Sequence, residues 1–134
     1  MNSVERVIYY AKNLEQEAPH ENSERKPKAP WPAEGRVEIK DVFSKYRPEL
    51  PDVLRGLTMD VAPGEKVGIV GRTGAGKSSI MTALYRLVEV TAGSILIDGV
   101  DISTIGLKDL RGALAIIPQD PVRIIPLTFH NLVC

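Results

Sequence analysis

The stretch GIVGRTGAGKSS, residues 68–79, carries the pattern G-x-x-x-x-G-K-[ST] at Gly71, Gly76, Lys77 and Ser78. A β-type apolar run, residues 67–70, precedes it, and a run with helical spacing follows from Lys77. Chance yields the bare pattern in on the order of one chain in 200 of this length, so the flanking strand and helix carry much of the weight. The physical reading is a loop that cradles a triphosphate. The first turn of a helix leaves its N–H groups unpaired and carries partial positive charge, so the backbone of residues 73–79 can converge on an anion. Gly71, Gly74 and Gly76 have no Cβ, which permits positive φ and close approach of phosphate oxygens. Arg72, Thr73, Ala75 and Ser79 contribute backbone, Lys77 a point charge for the outer phosphates, and Ser78 a hydroxyl. Ser78 is placed to complete a Mg²⁺ shell shared with phosphate oxygens. The competing reading is a glycine-rich turn with a solvated lysine.

Outward from this loop the periodicity alternates between strand and helix. Val37 and Ile39 alternate with polar residues, as do Leu57, Met59 and Val61, and each pattern predicts a half-buried strand. Pro63-Gly64 is a turn signal. Residues 77–88 read as a helix with Ile80, Met81, Leu84, Leu87 and Val88 on its inner face. Thr91-Ala-Gly-Ser breaks it, Ile95-Leu-Ile is a strand stopped by Asp98-Gly99, residues 107–111 form a short helix, and residues 114–117 form a last strand stopped by Pro118.

Upstream, residues 18–35 hold Pro19, Pro27, Pro30 and Pro32 among charged residues and read as a linker. Trp31 either docks on the following domain or is an exposed linker aromatic. In residues 1–17, Val4, Val7, Ile8, Ala11 and Leu14 form one narrow apolar stripe, the pattern of a helix that needs a partner surface. The alternative is an isolated, frayed helix, marginal in water at this length.

The 134 residues carry 17 Lys plus Arg and 17 Asp plus Glu. This balance argues against a nucleic-acid binder, which concentrates basic charge. The single cysteine, Cys134, permits no internal disulfide, and no apolar run approaches the roughly 20 residues of a membrane-spanning helix.

Residues 36–122 resemble an ATP-binding cassette, in particular the second nucleotide-binding domain of the C-type, multidrug-resistance-associated transporters. KYRPELPDVLRGL (45–57) and IGLKDLRGALAIIPQDP (105–121) carry the resemblance beyond the phosphate loop. It implies an α/β fold: a truncated P-loop NTPase with an N-terminal antiparallel β-subdomain, preceded by a helix and a Pro-rich linker. Residues 1–17 are similar to the cytoplasmic end of the last transmembrane helix, 18–35 to the linker, 36–122 to part of the nucleotide-binding domain, and 123–134 form a divergent tail. By the same resemblance Tyr46 stacks on adenine, and Gln119 helps bind Mg²⁺ and the attacking water. Spacing alone leaves Tyr46 as a turn filler and Gln119 as a polar turn residue. ATP and Mg²⁺ are the implied ligands. The implied partners are transmembrane domains and a second nucleotide-binding domain, and the implied location is the cytoplasmic side of a membrane.

The family also uses an LSxGQ-like signature, an apolar strand ending in Asp-Glu and a later histidine at the γ-phosphate, and the 134 residues contain none of them in context. Asp98 ends an apolar strand, but Gly99 follows it and it falls where the family makes a turn. His20 and His130 sit in no matching context. The expectation is therefore ATP binding without hydrolysis by this chain, with a phosphate-loop strand lacking its neighbours and a marginal fold. The alternatives are an interaction module acting through residues 4–14 and a small P-loop kinase.

Overall fold

The computed structural model describes residues 3–14 and 17–117. Its elements are α1 (Ser3–Asn13), β1 (Val37–Ser44), β2 (Leu54–Val61), α2 (Lys77–Leu84), β3 (Val90–Ile97), β4 (Val100–Asp101) and α3 (Leu107–Ala113). The four strands form one antiparallel sheet in the order β2-β1-β3-β4. Strand β1 buries Ile39 and Val42, three residues apart because a register irregularity at the left-handed Asp41 resets the alternation between them, and alternation buries Ile95 and Ile97 from β3. Ile80 and Ala83 of α2, with Ile102, Ile105 and Leu110 further along the chain, complete the core.

Asp98-Gly99 makes the two-residue hairpin between β3 and β4, with φ of 50° and 75° as such a turn demands. The Asp98 carboxylate also anchors the end of the linker. Its Oδ2 accepts the N–H groups of Ala33, Glu34 and Gly35 at 2.7, 2.9 and 3.1 Å, and its Oδ1 accepts that of Arg36 at 2.8 Å. Beside it, Trp31 packs against the core and its Nε1 donates to the Ile97 carbonyl at 3.1 Å, so this aromatic docks.

These bonds, led by the one from Glu34, hold the Asp98 carboxyl below its ordinary 3.8. A depressed carboxyl contributes stability above its unfolded value and loses it as pH falls through the folded one. Fluorescence of Trp31, the one tryptophan, should therefore be steady from neutral pH to about pH 5 and change only below about pH 4. Asp98→Asn should shift the neutral-pH signal and remove that acid step. An acid step of unchanged midpoint in the variant would rule out Asp98 as its source.

The chain also docks where the linker begins. Glu17 pairs with Arg111 through two bonds of 3.0 Å, and the carbonyls of Pro19 and His20 accept the N–H groups of Leu107 and Lys108 at the start of α3. Helix α1 stops at Asn13, short of the expected residue 17, and none of its residues is buried.

Four further expected elements differ. Helix α2 ends at Leu84, not near residue 88. Arg86 takes φ 49° there, and its buried guanidinium donates to the carbonyls of Ile102 and Ile105 and to the Glu89 carboxylate. Leu87 is consequently exposed. Strand β3 runs back to Val90 through the supposed breaker, with a register irregularity around Gly93. Residues 67–70 and 114–117 form no strands. A strand exists only by hydrogen bonding to a neighbour, and among the described residues no strand pairs with either segment. Val70 and Ile117 stand 97% and 87% exposed. The fold is thus the antiparallel subdomain with helices, without a parallel sheet among the described residues.

Candidate nucleotide site

The first turn of α2 is built as the motif requires. Gly74 and Gly76 adopt φ of 80° and 82°, and Gly76 caps the helix in left-handed backbone. A Cβ on Gly76 would meet the Val53 carbonyl at 3.3 Å, so glycine also allows the loop to pack against the β2 approach. Gly71, expected to share this freedom, does not have positive φ. Part of the loop's donor set is engaged internally: the Ala75 N–H donates to the Arg72 carbonyl and that of Ser79 to the Gly76 carbonyl, both at 3.1 Å.

Lys77 folds back across the loop. Its Nζ donates to the carbonyls of Gly71 and Arg72 at 2.7 and 2.8 Å. Those two oxygens occupy the ammonium's hydrogen-bond directions that an anion would compete for. Tyr46, at the start of the β1–β2 connection, stands at the loop's mouth with its ring half exposed and its phenol 2.9 Å from Ser79 Oγ. Ser79 itself is buried on α2. Tyr46, Val53, Thr73, Gly74, Gly76, Lys77, Ser78 and Ser79 line one open cleft of about 580 Å³. An aromatic platform, a helix N-terminus and a cation thus face a common space, the arrangement that suits a base joined to a phosphate chain.

Of the expected site residues, Tyr46 and the loop residues Thr73, Gly74, Gly76, Lys77, Ser78 and Ser79 are brought together. Gly71, Arg72 and Ala75 belong to the loop but do not line that cleft, and Gln119 lies outside the described residues. Sequence reasoning missed Val53, which lines the cleft, and Arg86, which fixes the far end of α2; a lone valine and a lone helical arginine give no pattern to detect.

The family model for ABC transporters matches residues 54–131, more than half of the chain. The chain belongs to the ABC transporter family. The ABC-type transporter cicA of Emericella nidulans is 60% identical over 122 residues, which cover 90% of this chain and 9% of that protein. The oligomycin resistance ATP-dependent permease YOR1 of Saccharomyces cerevisiae is 57% identical over 91% of this chain and 8% of its own length. Human ATP-binding cassette sub-family C member 2 is 52% identical over 90% of this chain and 8% of its own length. The chain thus spans less than a tenth of each of these relatives. Among solved structures, a bacterial Atm1-family ABC exporter with ATP bound matches with a TM-score of 0.72 and 34% identity over 87% of this chain and 20% of that one. The ABC chain described here is therefore similar to part of the ATP-binding domain of C-family transporters, and membership implies that its cassette binds ATP. No helix among the described residues is long and apolar enough to cross a membrane.

Proposed function

We propose that this ABC chain binds MgATP as the N-terminal portion of the second nucleotide-binding domain of a C-type transporter, whose whole-protein activity is ATP-driven export of organic anions or drug-like compounds. The observation that carries the binding reading is the single cleft in which Tyr46 faces the Lys77 loop. In this reading the Tyr46 ring stacks on the base, the loop backbone and Lys77 hold the phosphates, and Gln119 joins the metal site.

The donor chemistry fits a phosphate-bound metal. Among the described residues no group of three or more His, Cys, Asp or Glu is placed to hold an ion. Mg²⁺ at Ser78 would therefore take most of its oxygen ligands from the nucleotide and water, as this hard cation commonly does. When bound it would neutralise phosphate charge. The side chains' own part is to bind and orient: Ser78 offers one hydroxyl oxygen, and Lys77 exchanges the carbonyls of Gly71 and Arg72 for phosphate oxygens.

For the 134-residue chain alone the proposal is binding without turnover, because the sequence holds no Asp-Glu strand to position water. Calorimetric titration with MgATP should show binding that Lys77→Ala loses, and phosphate release should not exceed that of the variant. Turnover that depends on Lys77 would refute the non-catalytic half of the reading.

The transmembrane half of the transporter is the partner proposed for α1. Val4, Val7 and Ile8 lie 64%, 67% and 49% exposed on it, an apolar stripe of the kind that docks on other helices. Co-purification with the membrane half of a C-family transporter is expected, and Val7→Asp should weaken it. Equal recovery of the variant would remove α1 as the contact.

A further inference from the structure

Tyr46 and Ser79 are 33 residues apart in sequence, yet their hydroxyl oxygens lie 2.9 Å apart. Tyr46 comes from the β1–β2 connection and is half exposed, with little packing to fix its ring. Ser79 is on the first turn of α2, where the backbone is fixed by the bond from its own N–H to Gly76. The bond therefore fastens a loosely packed aromatic to the rigid element that forms the phosphate loop. Lining of the same cleft by both residues places this bond inside the site rather than behind it.

We propose that Ser79 is a positioning residue for the Tyr46 ring, and that the pair joins the base platform to the phosphate loop as one unit. This rests on the nucleotide reading above and deepens it. A hydroxyl has one proton to donate and can accept from others. If the phenol donates to Ser79 Oγ, the Ser79 proton is left for an oxygen of the nucleotide. A bound anion favours that direction, because chained hydrogen bonds polarise one another. Nucleotide binding then strengthens the bond that holds the ring, and the ring stays in place for the base.

The test separates base from phosphate. For the full 134-residue chain, dissociation constants are measured for MgATP and for Mg-tripolyphosphate, and their ratio reports what the nucleoside adds. Tyr46→Phe keeps the stacking face and removes only the hydroxyl. It should reduce the ratio by roughly three- to ten-fold, the loss of one hydrogen bond. Ser79→Ala should reduce the ratio by a similar factor whatever it does to phosphate affinity, since that effect cancels. The double variant should lose no more than either alone. Ser79→Thr keeps a hydroxyl and should retain the ratio. If Ser79→Ala fails to fold, Tyr46→Phe and Ser79→Thr still decide. An unchanged ratio in Tyr46→Phe, or additive losses in the double variant, would overturn the inference while leaving nucleotide binding intact. Absence of binding by either ligand to the unaltered chain would overturn the nucleotide reading and this inference with it.

Discussion

Lys77→Ala is expected to weaken MgATP binding by about 3 kcal/mol, roughly 150-fold in Kd. Lys77 Nζ is already held at the loop by two carbonyls, at 2.7 Å from Gly71 and 2.8 Å from Arg72. Neutral carbonyls are weaker acceptors than phosphate oxygens for an ammonium, because charge on both partners shortens and strengthens the bond. The exchange from carbonyl to phosphate therefore has a net gain, and its cost in ordering is small because the side chain is already folded over the loop. Alanine removes the cation and with it both the charge and the hydrogen bonds that the exchange would form. Lys77→Arg keeps the charge but replaces a compact ammonium by a planar fork, so intermediate affinity is expected. The readout is titration calorimetry, with far-UV circular dichroism confirming that each variant keeps its secondary structure. Binding by Lys77→Ala within two-fold of the unaltered chain would mean that the cleft does not recognise phosphate through this residue.

The same residues show why parts of the structure were legible in the sequence and parts were not. The start of α2 was legible because its motif demands a helix N-terminus after Gly76, and that demand is local. Strands β1 and β2 were legible because one face of each is at least half covered, which writes a period of two into Val37, Ile39, Leu57, Met59 and Val61. The Asp98-Gly99 turn was legible for the same local reason. Residues 67–70 misled because apolar content records that a segment suits a buried strand, not that a neighbour is present to pair with it. Arg86 was invisible because an arginine within a helical pattern reads as solvated. Only the tertiary fold brings the carbonyls of Ile102 and Ile105 within its reach. The docking of Glu17 on Arg111 was hidden at the end of what periodicity describes as a helix, since local spacing and charge do not record distant partners. Tyr46 stood between these cases. Its spacing left it a turn filler, resemblance made it a stacking residue, and the structure adds a bond to Ser79 that neither contained.

Gly93→Ala is expected to cost about 3 kcal/mol or more in stability, and the reason lies in the strand the sequence disguised. Thr91-Ala-Gly-Ser looked like a helix breaker, yet it is the entry to β3. At Gly93 the β1–β3 register shifts, and φ is 84°. Asp41, across the ladder, also turns left-handed at φ 47°. These distortions bring two backbones together: a Cβ on Gly93 would lie 2.3 Å from the Asp41 carbonyl oxygen and 2.5 Å from that of Lys40. Such contacts are far inside van der Waals separation, so the backbone of one strand must move. The movement disturbs the central β1–β3 pairing, where Ile39 and Ile95 face each other in register and are both buried. Gly99→Ala separates the two contributions. Gly99 has φ 75°, but a Cβ there would meet no atom within 4 Å, so only the left-handed backbone penalty of about 1–2 kcal/mol applies. Urea unfolding followed by far-UV circular dichroism should show a large drop in midpoint for Gly93→Ala and a smaller one for Gly99→Ala. Equal drops would mean that strand β3 relaxes freely around position 93 and that the close approach of the two backbones is not what glycine is there to permit.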